Sequence, residues 1–289
     1  MQNYQKRILT ALIGVPLILL VLYTGGIPFL LFVIAVLSLS LFEFFRMVNL
    51  KDYRSIKILI FVTCVLMSFG AYSCSFLIMT FFTFAVLLFM VILLVKSEPS
   101  GLITALGLFT FPVIYFGWFF NHALLLRNIT LNPRIHEYAS TVQGLNDPGF
   151  FFLVLVIACS FLNDTGAYSV GKWIGSVKLA PSISPGKTVE GTAGGIIICV
   201  LTAIVVNLIF SSPLSVIWTI IFALLIGISA VSGDLFESSI KRGIGVKDSG
   251  SILPGHGGIM DRFDSLFFVF PVAYYLTIIY YFLMGVKFY

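Results

Sequence analysis

Long apolar runs, most of them close to the length needed to cross a lipid bilayer, recur from one end of this chain to the other. A helical span takes about 20 predominantly apolar residues. Such runs predict membrane helices at about 8–23, 27–45, 56–72, 74–95, 102–126, 149–162, 192–210, 214–232 and 264–285. Within hydrocarbon each backbone N–H and C=O must be paired internally, which a helix achieves residue by residue. Composition agrees with lipid as the solvent, since 59% of residues are hydrophobic and 10% charged, against roughly a quarter charged in soluble domains. The expected fold class is therefore an all-α polytopic membrane protein with about nine transmembrane helices. The sixth run is short, and its helix is expected to continue beyond the lipid through Tyr168. The first run lacks a small-residue cleavage site and leads straight into the second, so it is expected to remain as a helix.

The basic residues orient these spans. With nine spans and a cytoplasmic N-terminus, segments 1–7, 46–55, 96–101, 163–191 and 233–263 lie inside and the C-terminus outside. Counting Lys57 with the second segment, that side holds 14 of the 17 Lys and Arg, leaving Arg127, Arg134 and Lys287. Cytoplasmic enrichment of this kind is what the positive-inside rule expects. Arg46, Lys51, Arg54 and Lys57 form a basic cluster suited to anionic headgroups, and Glu43 is expected to pair with Arg46 at a helix end. Two regions follow: 1–145, with few polar landmarks, and 146–289, which carries two polar cytoplasmic loops at 163–191 and 233–263. Cys64, Cys74, Cys159 and Cys199 lie in or beside apolar runs with no metal-binding spacing and read as small hydrophobes. His122 and His136 are isolated and read as incidental.

Most ionisable residues of the second half fall into those two loops. The first reads NDTGAYSVGKWIGSVKLAPSISPGKTVEG and the second includes SGDLFESSIKRGIGVKDSGSILPGHGGIMDRFD. Asp234, Glu237, Ser238 and Lys241 share one helical face by spacing. A carboxylate so near hydrocarbon needs a cation: Lys241 or Arg242 on the same helix, or a metal shared with Asp261. Asp264, three residues after Asp261, and Asp164, at the end of the sixth run, are further candidates for that metal; orienting Lys187 or meeting a helix-end partner suits Asp164 equally well. Carboxylate oxygens combined with substrate phosphates suit Mg²⁺. Lys187, Lys241, Arg242, Lys247 and Arg262 outnumber what those acids require. The glycines among them allow backbone amides to approach an anion closely. Together they describe a polyphosphate site with its counter-metal. Ser184-Pro185-Gly186-Lys187-Thr188 resembles a phosphate loop in composition, although the Walker A spacing is absent. His256 suits three roles: phosphate donor, acid, or structural hydrogen-bonding group.

The stretch Ser239–Asp264, carrying SIKR, KD, LPGHGG and MDRFD, resembles the signature of the CTP:phosphatidate cytidylyltransferases. NDTGAY at 163–168, SPGKTVEG at 184–191 and GDLFES at 233–238 resemble other polar segments of that family. The resemblance is close over about 160–265 and extends by hydropathy over the rest. Gly186 departs from the pattern, because many relatives have a second lysine there. The resemblance implies that CTP and phosphatidate give CDP-diacylglycerol and pyrophosphate, in phospholipid biosynthesis at the cytoplasmic face of the inner membrane. The implied catalytic set is Asp234, Asp261, Lys241, Arg262 and His256. CTP and its phosphates would be met by Ser184, Lys187, Thr188, Lys241, Arg242, Lys247, His256 and Arg262. Mg²⁺ would be held by Asp234 and Asp261, with Asp164 and Asp264 as further ligands and a second cation left open. CTP, phosphatidate and the bilayer are the implied partners, without nucleic acid; a homodimer is left open.

Two other classes fit the residues less well. A secondary transporter would show repeated halves and a midplane site, whereas these charges gather at one interface and no repeat is visible. A CTP-dependent polyprenol kinase would use the same phosphate chemistry, with attack at the γ-phosphorus instead of α.

Overall fold

The computed structural model describes residues 12, 14, 16–48, 54–73, 75–96, 102–132, 135–137, 147–212, 214–252 and 257–286. Among them, eight helices are long and apolar enough to cross a membrane. The protein is a mostly helical polytopic membrane protein. The expected first span, 8–23, lies partly outside the described residues; 16–24 are helical.

Helices α1 (Gly26–Met47), α2 (Arg54–Ser73) and α3 (Ser75–Lys96) fall where the apolar runs predict them. The run at 102–126 forms three consecutive pieces. These are α4 (Leu102–Pro112), a π-helical segment (Val113–Phe119) and α5 (Phe120–Arg127). Pro112 lacks the N–H that an α-helix would use, and the ladder widens immediately after it. Asn121 Nδ2 donates to the Gly117 carbonyl at 2.6 Å, and His122 Nδ1 donates to that of Trp118 at 2.8 Å. His122 thus serves the helix that carries it.

The described chain divides into two compact units. The first comprises Met1–Leu125 and Asp248–Met260. Its interior is aromatic: Phe44 packs on Phe111 and Phe116, while Phe89 stacks on Phe109 with centroids 3.9 Å apart. Gly117 allows α2 to come close, since a Cβ there would stand 2.9 Å from Cys64 Sγ. Glu43 corrects an expectation. It does not form an ion pair with Arg46; its carboxylate is fully buried and accepts hydrogen bonds from Ser249, Ile259 and Met260. The Arg46 guanidinium stands over the Phe42 ring instead.

The second unit comprises Leu126–Lys247 and Asp261–Tyr289. Helices α6 (Pro148–Ile174), α7 (Val189–Ile209) and α8 (Val216–Ile244) pack side by side. Contact between α6 and α7 is made through glycines. A Cβ on Gly191 would lie 2.6 Å from the Ala167 carbonyl oxygen, and one on Gly195 would lie 2.7 Å from that of Asn163. With lipid outside, helices gain little from burying apolar surface against each other, so close backbone packing supplies much of the attraction. Helix α9 (Met260–Leu283) crosses α8 where Gly233 meets the backbone of Asp264 and Ser265. Phe152 with Tyr281 and Trp218 with Tyr280 extend this packing.

Large apolar side chains such as Ile103, Phe84, Leu208 and Ile209 face outward, as lipid-facing positions would. Exposed Tyr168 and Trp173 lie toward the C-terminal end of α6, where amphipathic rings suit a membrane–water interface.

Three boundaries differ from expectation. Helix α6 runs to Ile174, α8 runs to Ile244, and α9 starts at Met260. Much of the two expected loops is therefore helix. Hydropathy marks where lipid stops, whereas backbone hydrogen bonding continues into the polar zone. The fold is also not purely helical. Strands β1 (Lys178–Ala180) and β2 (Ser184–Thr188) form an antiparallel hairpin, with Lys178 opposite Thr188 and Ala180 opposite Ser184.

Candidate active site

The site grows from the polar end of α8. The spacing Asp234, Glu237, Ser238, Lys241 places one polar face on an otherwise apolar helix, as the sequence predicts. Ser238 Oγ donates to Asp234 Oδ1 at 3.3 Å. Lys241 is buried, and its ammonium meets Glu237 Oε2 and Asp261 Oδ1, both at 2.7 Å. Glu237 is wholly buried, so this contact supplies the cation that its charge requires. One lysine thus ties the C-terminal end of α8 to the first turn of α9.

A second group forms around Asp234. Lys187 Nζ lies 2.5 Å from Asp234 Oδ2, with both side chains about one-quarter exposed. β2 holds Lys187 out from the hairpin, and α8 holds Asp234. Asp164 from α6 and Asp264 from α9 are within electrostatic reach of Asp234 and of each other. The Ser265 hydroxyl approaches both, 3.4 Å from Asp164 Oδ2 and 3.2 Å from Asp264 Oδ1. Glu237 in turn feels the charges of Asp264 and Asp261. Three helices therefore bring five carboxylates into one cluster, in which Lys187 pairs with Asp234 and Lys241 bridges Glu237 and Asp261.

Other predicted residues have more local settings. Thr188 caps α7, its Oγ1 accepting from the Gly191 amide at 3.1 Å. Arg242 reaches the hairpin, with Nε donating to the Ile183 carbonyl at 3.3 Å and Nη1 to that of Val246 at 3.2 Å. Ser184 opens β2 and is half-buried, while Lys247 and Arg262 are exposed. A side chain would fit at Gly186, where nothing lies within 4 Å of a Cβ. His256 lies outside the described residues. Among those residues, no three His, Cys, Asp or Glu side chains are arranged as a ready metal cage. Asp234 and Asp261, expected on one metal, have different lysine partners.

The sequence motifs give Glu237 a place on the polar face but no role in the site, and they leave two other contributors unmarked. Glu237 carried a signal, because its spacing places it between Asp234 and Lys241. Ser265 gave none, since a serine opening an apolar run is unremarkable. Glu190 also escaped notice. Its carboxylate accepts from the Ser176 hydroxyl and from the amides of Ser176 and Val177, closing the base of the hairpin that presents Lys187.

Known proteins resemble this sequence over nearly the full chain. A phosphatidate cytidylyltransferase of Bacillus subtilis is 37% identical over 283 residues, covering 96% of this chain and 98% of that protein. One from Synechocystis is 34% identical over 295 residues, covering 95% and 96%. One from Staphylococcus saprophyticus is 34% identical over 278 residues, covering 94% and 98%. The sequence profile of the Cytidylyltransferase family matches residues 5–280. With that match covering nearly its whole length, the chain belongs to the cytidylyltransferase family and is a nucleotidyltransferase.

Proposed function

We propose that this enzyme transfers the cytidylyl group of CTP to phosphatidate, forming CDP-diacylglycerol and releasing pyrophosphate. The observation that carries this reading is the charge cluster holding Lys187 and Lys241, built at the polar ends of membrane helices. One substrate is a soluble polyanion and the other has its phosphate at headgroup depth, so a fixed interfacial charge array suits both. The relatives' name supplies the substrate pair.

In the proposed reaction a phosphatidate oxygen forms a bond to the α-phosphorus of CTP while the bond from that phosphorus to pyrophosphate breaks on the opposite side. The attacking oxygen is already ionised at neutral pH, so positioning and charge stabilisation matter more than a general base. Lys187, presented by a hairpin, and Lys241, locked between two carboxylates, hold positive charge in defined places. Exposed Lys247 and Arg262 are suited to meet the nucleotide's phosphates, and Arg242 steadies the hairpin.

Mg²⁺ is the proposed cofactor. The test of fit is the donor set: no ready cage of three ligands is present among the described residues, but five carboxylates with two ammonium groups among them leave negative charge for a further cation, and Mg²⁺ commonly uses one or two carboxylates plus substrate phosphates. Asp234 and Asp261 would hold it, with Asp164 and Asp264 beside Asp234. When bound, it would offset triphosphate charge as the leaving group departs. We also propose nine spans in the inner membrane, with the N-terminus and the site cytoplasmic and the C-terminus outside.

Isotope position tests the reaction. Label from α-³²P CTP is expected in lipid, and label from γ-³²P CTP in released pyrophosphate. Lipid carrying the γ label would replace this reading with a kinase.

A further inference from the structure

Glu43 lies far in sequence from every residue assigned above, and the proposed chemistry gives it no task. It sits on α1 with 1% of its surface exposed. Its Oε1 accepts from the Ile259 amide at 3.1 Å. Its Oε2 accepts from the Met260 amide at 2.9 Å and from Ser249 Oγ at 3.0 Å. The two amide donors are 216 and 217 residues away in sequence. Met260 opens α9, so its N–H belongs to the set that no helical carbonyl can satisfy. A carboxylate in that place also meets the positive end of the helix dipole.

Two glycines are fitted to this carboxylate. A Cβ on Gly250 would collide with the Glu43 carboxyl group, and the three atoms nearest to it all belong to Glu43. A Cβ on Gly258 would strike Ser249 Oγ and both Glu43 oxygens. Gly257, with φ at +84°, takes the left-handed turn that precedes these contacts. Glycine at 250 and 258 thus leaves room for a buried anion.

We propose that Glu43 is a positioning residue of the active site: its carboxylate holds Ser249, Ile259 and Met260 and caps the helix that carries Asp261, Arg262 and Asp264. The inference rests on the reading that those residues serve cytidylyl transfer. Its restraint reaches them along the chain, because Asp261 directly follows the held Met260 amide. A membrane helix in the first half of the protein thereby gains a defined part in the reaction.

The test uses the full-length protein in detergent with Glu43→Gln, Glu43→Asp, Gly250→Ala and the last two combined. Hydrogen exchange of the peptide spanning 257–262 reads the anchor without reference to activity. Glu43→Gln keeps one acceptor oxygen and loses the charge. It is expected to speed exchange at Ile259 and Met260 by about ten-fold or more, the scale of one lost charge-assisted hydrogen bond, with peptides inside α1 and α2 unchanged. Turnover of CTP with phosphatidate is expected to fall about 10–100-fold while the CTP KM moves less than about three-fold, as misplacement of reacting groups predicts.

Shortening the acid should relieve the crowding made by Gly250→Ala, so the combined variant is expected to turn over faster than Gly250→Ala alone. Unchanged exchange at 259–260, faster exchange with normal turnover, exchange raised throughout α1 and α2, or a combined variant no better than Gly250→Ala would each overturn the proposal. If Glu43→Gln fails to accumulate, Ser249→Ala removes one donor and is expected to show the same pattern at smaller amplitude; normal exchange and turnover there would equally overturn it. Wild-type protein that makes no CDP-lipid would sink the cytidylyl-transfer reading, while exchange would still decide whether Glu43 is the anchor.

Discussion

Lys241 shows how one buried cation organises the site. It stands between Glu237 and Asp261 at 2.7 Å from each, so Lys241→Met removes the cation that both carboxylates share. The expected cost is about 3–5 kcal/mol, the range seen when one partner of a buried ion pair is removed, read as lost thermal stability in detergent. Glu237→Gln combined with Lys241→Met should cost less than the sum of the two single changes, because neighbouring groups couple. For Asp234 and Asp261 the proposed role is of the other kind, toward substrate and metal. Asp234→Asn and Asp261→Asn are each expected to lower turnover at least about 100-fold, the order found when fixed charge stabilisation is lost. Membrane insertion should be normal, and near-normal turnover of either variant at saturating Mg²⁺ would remove it from the metal site.

At the scale of elements, the hairpin and the α6–α7 pair do separate work. The hairpin presents Lys187 to Asp234, and Glu190 fastens its base through Ser176 and Val177. Glu190→Ala should free that base and lower turnover about ten-fold by loosening a positioned charge. Stability should change little, and unaltered turnover would show that the hairpin holds Lys187 without Glu190. The helix pair depends on backbone proximity at Gly191 and Gly195. Gly195→Leu should force α6 and α7 apart, with a cost of at least about 1–3 kcal/mol as overpacking predicts. Thermal unfolding in detergent checks this, and a matching loss of activity is expected because Asp164 is carried on α6.

At the scale of the whole molecule, the arrangement requires one membrane face for the polar helix ends. In a background without native cysteines, Ser176→Cys and Asp248→Cys should react with an impermeant reagent only from the cytoplasmic side, and Ser140→Cys only from the opposite side. Labelling of Ser176→Cys and Asp248→Cys from different faces would exclude nine spans with a cytoplasmic N-terminus. Asp248 is the better probe than its neighbour, since Ser249 is buried against Glu43.

The amino-acid sequence by itself determined that this chain lives in lipid. It also placed the apolar core of the eight described spans and set Asp234, Glu237 and Lys241 on one face of α8. Those properties are local: hydropathy depends on composition over about 20 residues, and a helical face depends on spacing alone. The sequence motifs likewise mark the segments that carry Asp164, Lys187, Asp234 and Asp261. Tertiary structure decided the partners. Lys187 could have served any nearby anion, and only the hairpin's placement gives it Asp234. Thr188 reads as a phosphate ligand in composition, but folding uses its hydroxyl to cap α7. Glu43 offered a nearby arginine in sequence, yet the folded chain brings it the Ser249 hydroxyl and the amides of Ile259 and Met260. Pairing of this kind depends on which backbone groups are left unsatisfied once helices pack, and residue spacing carries no record of that.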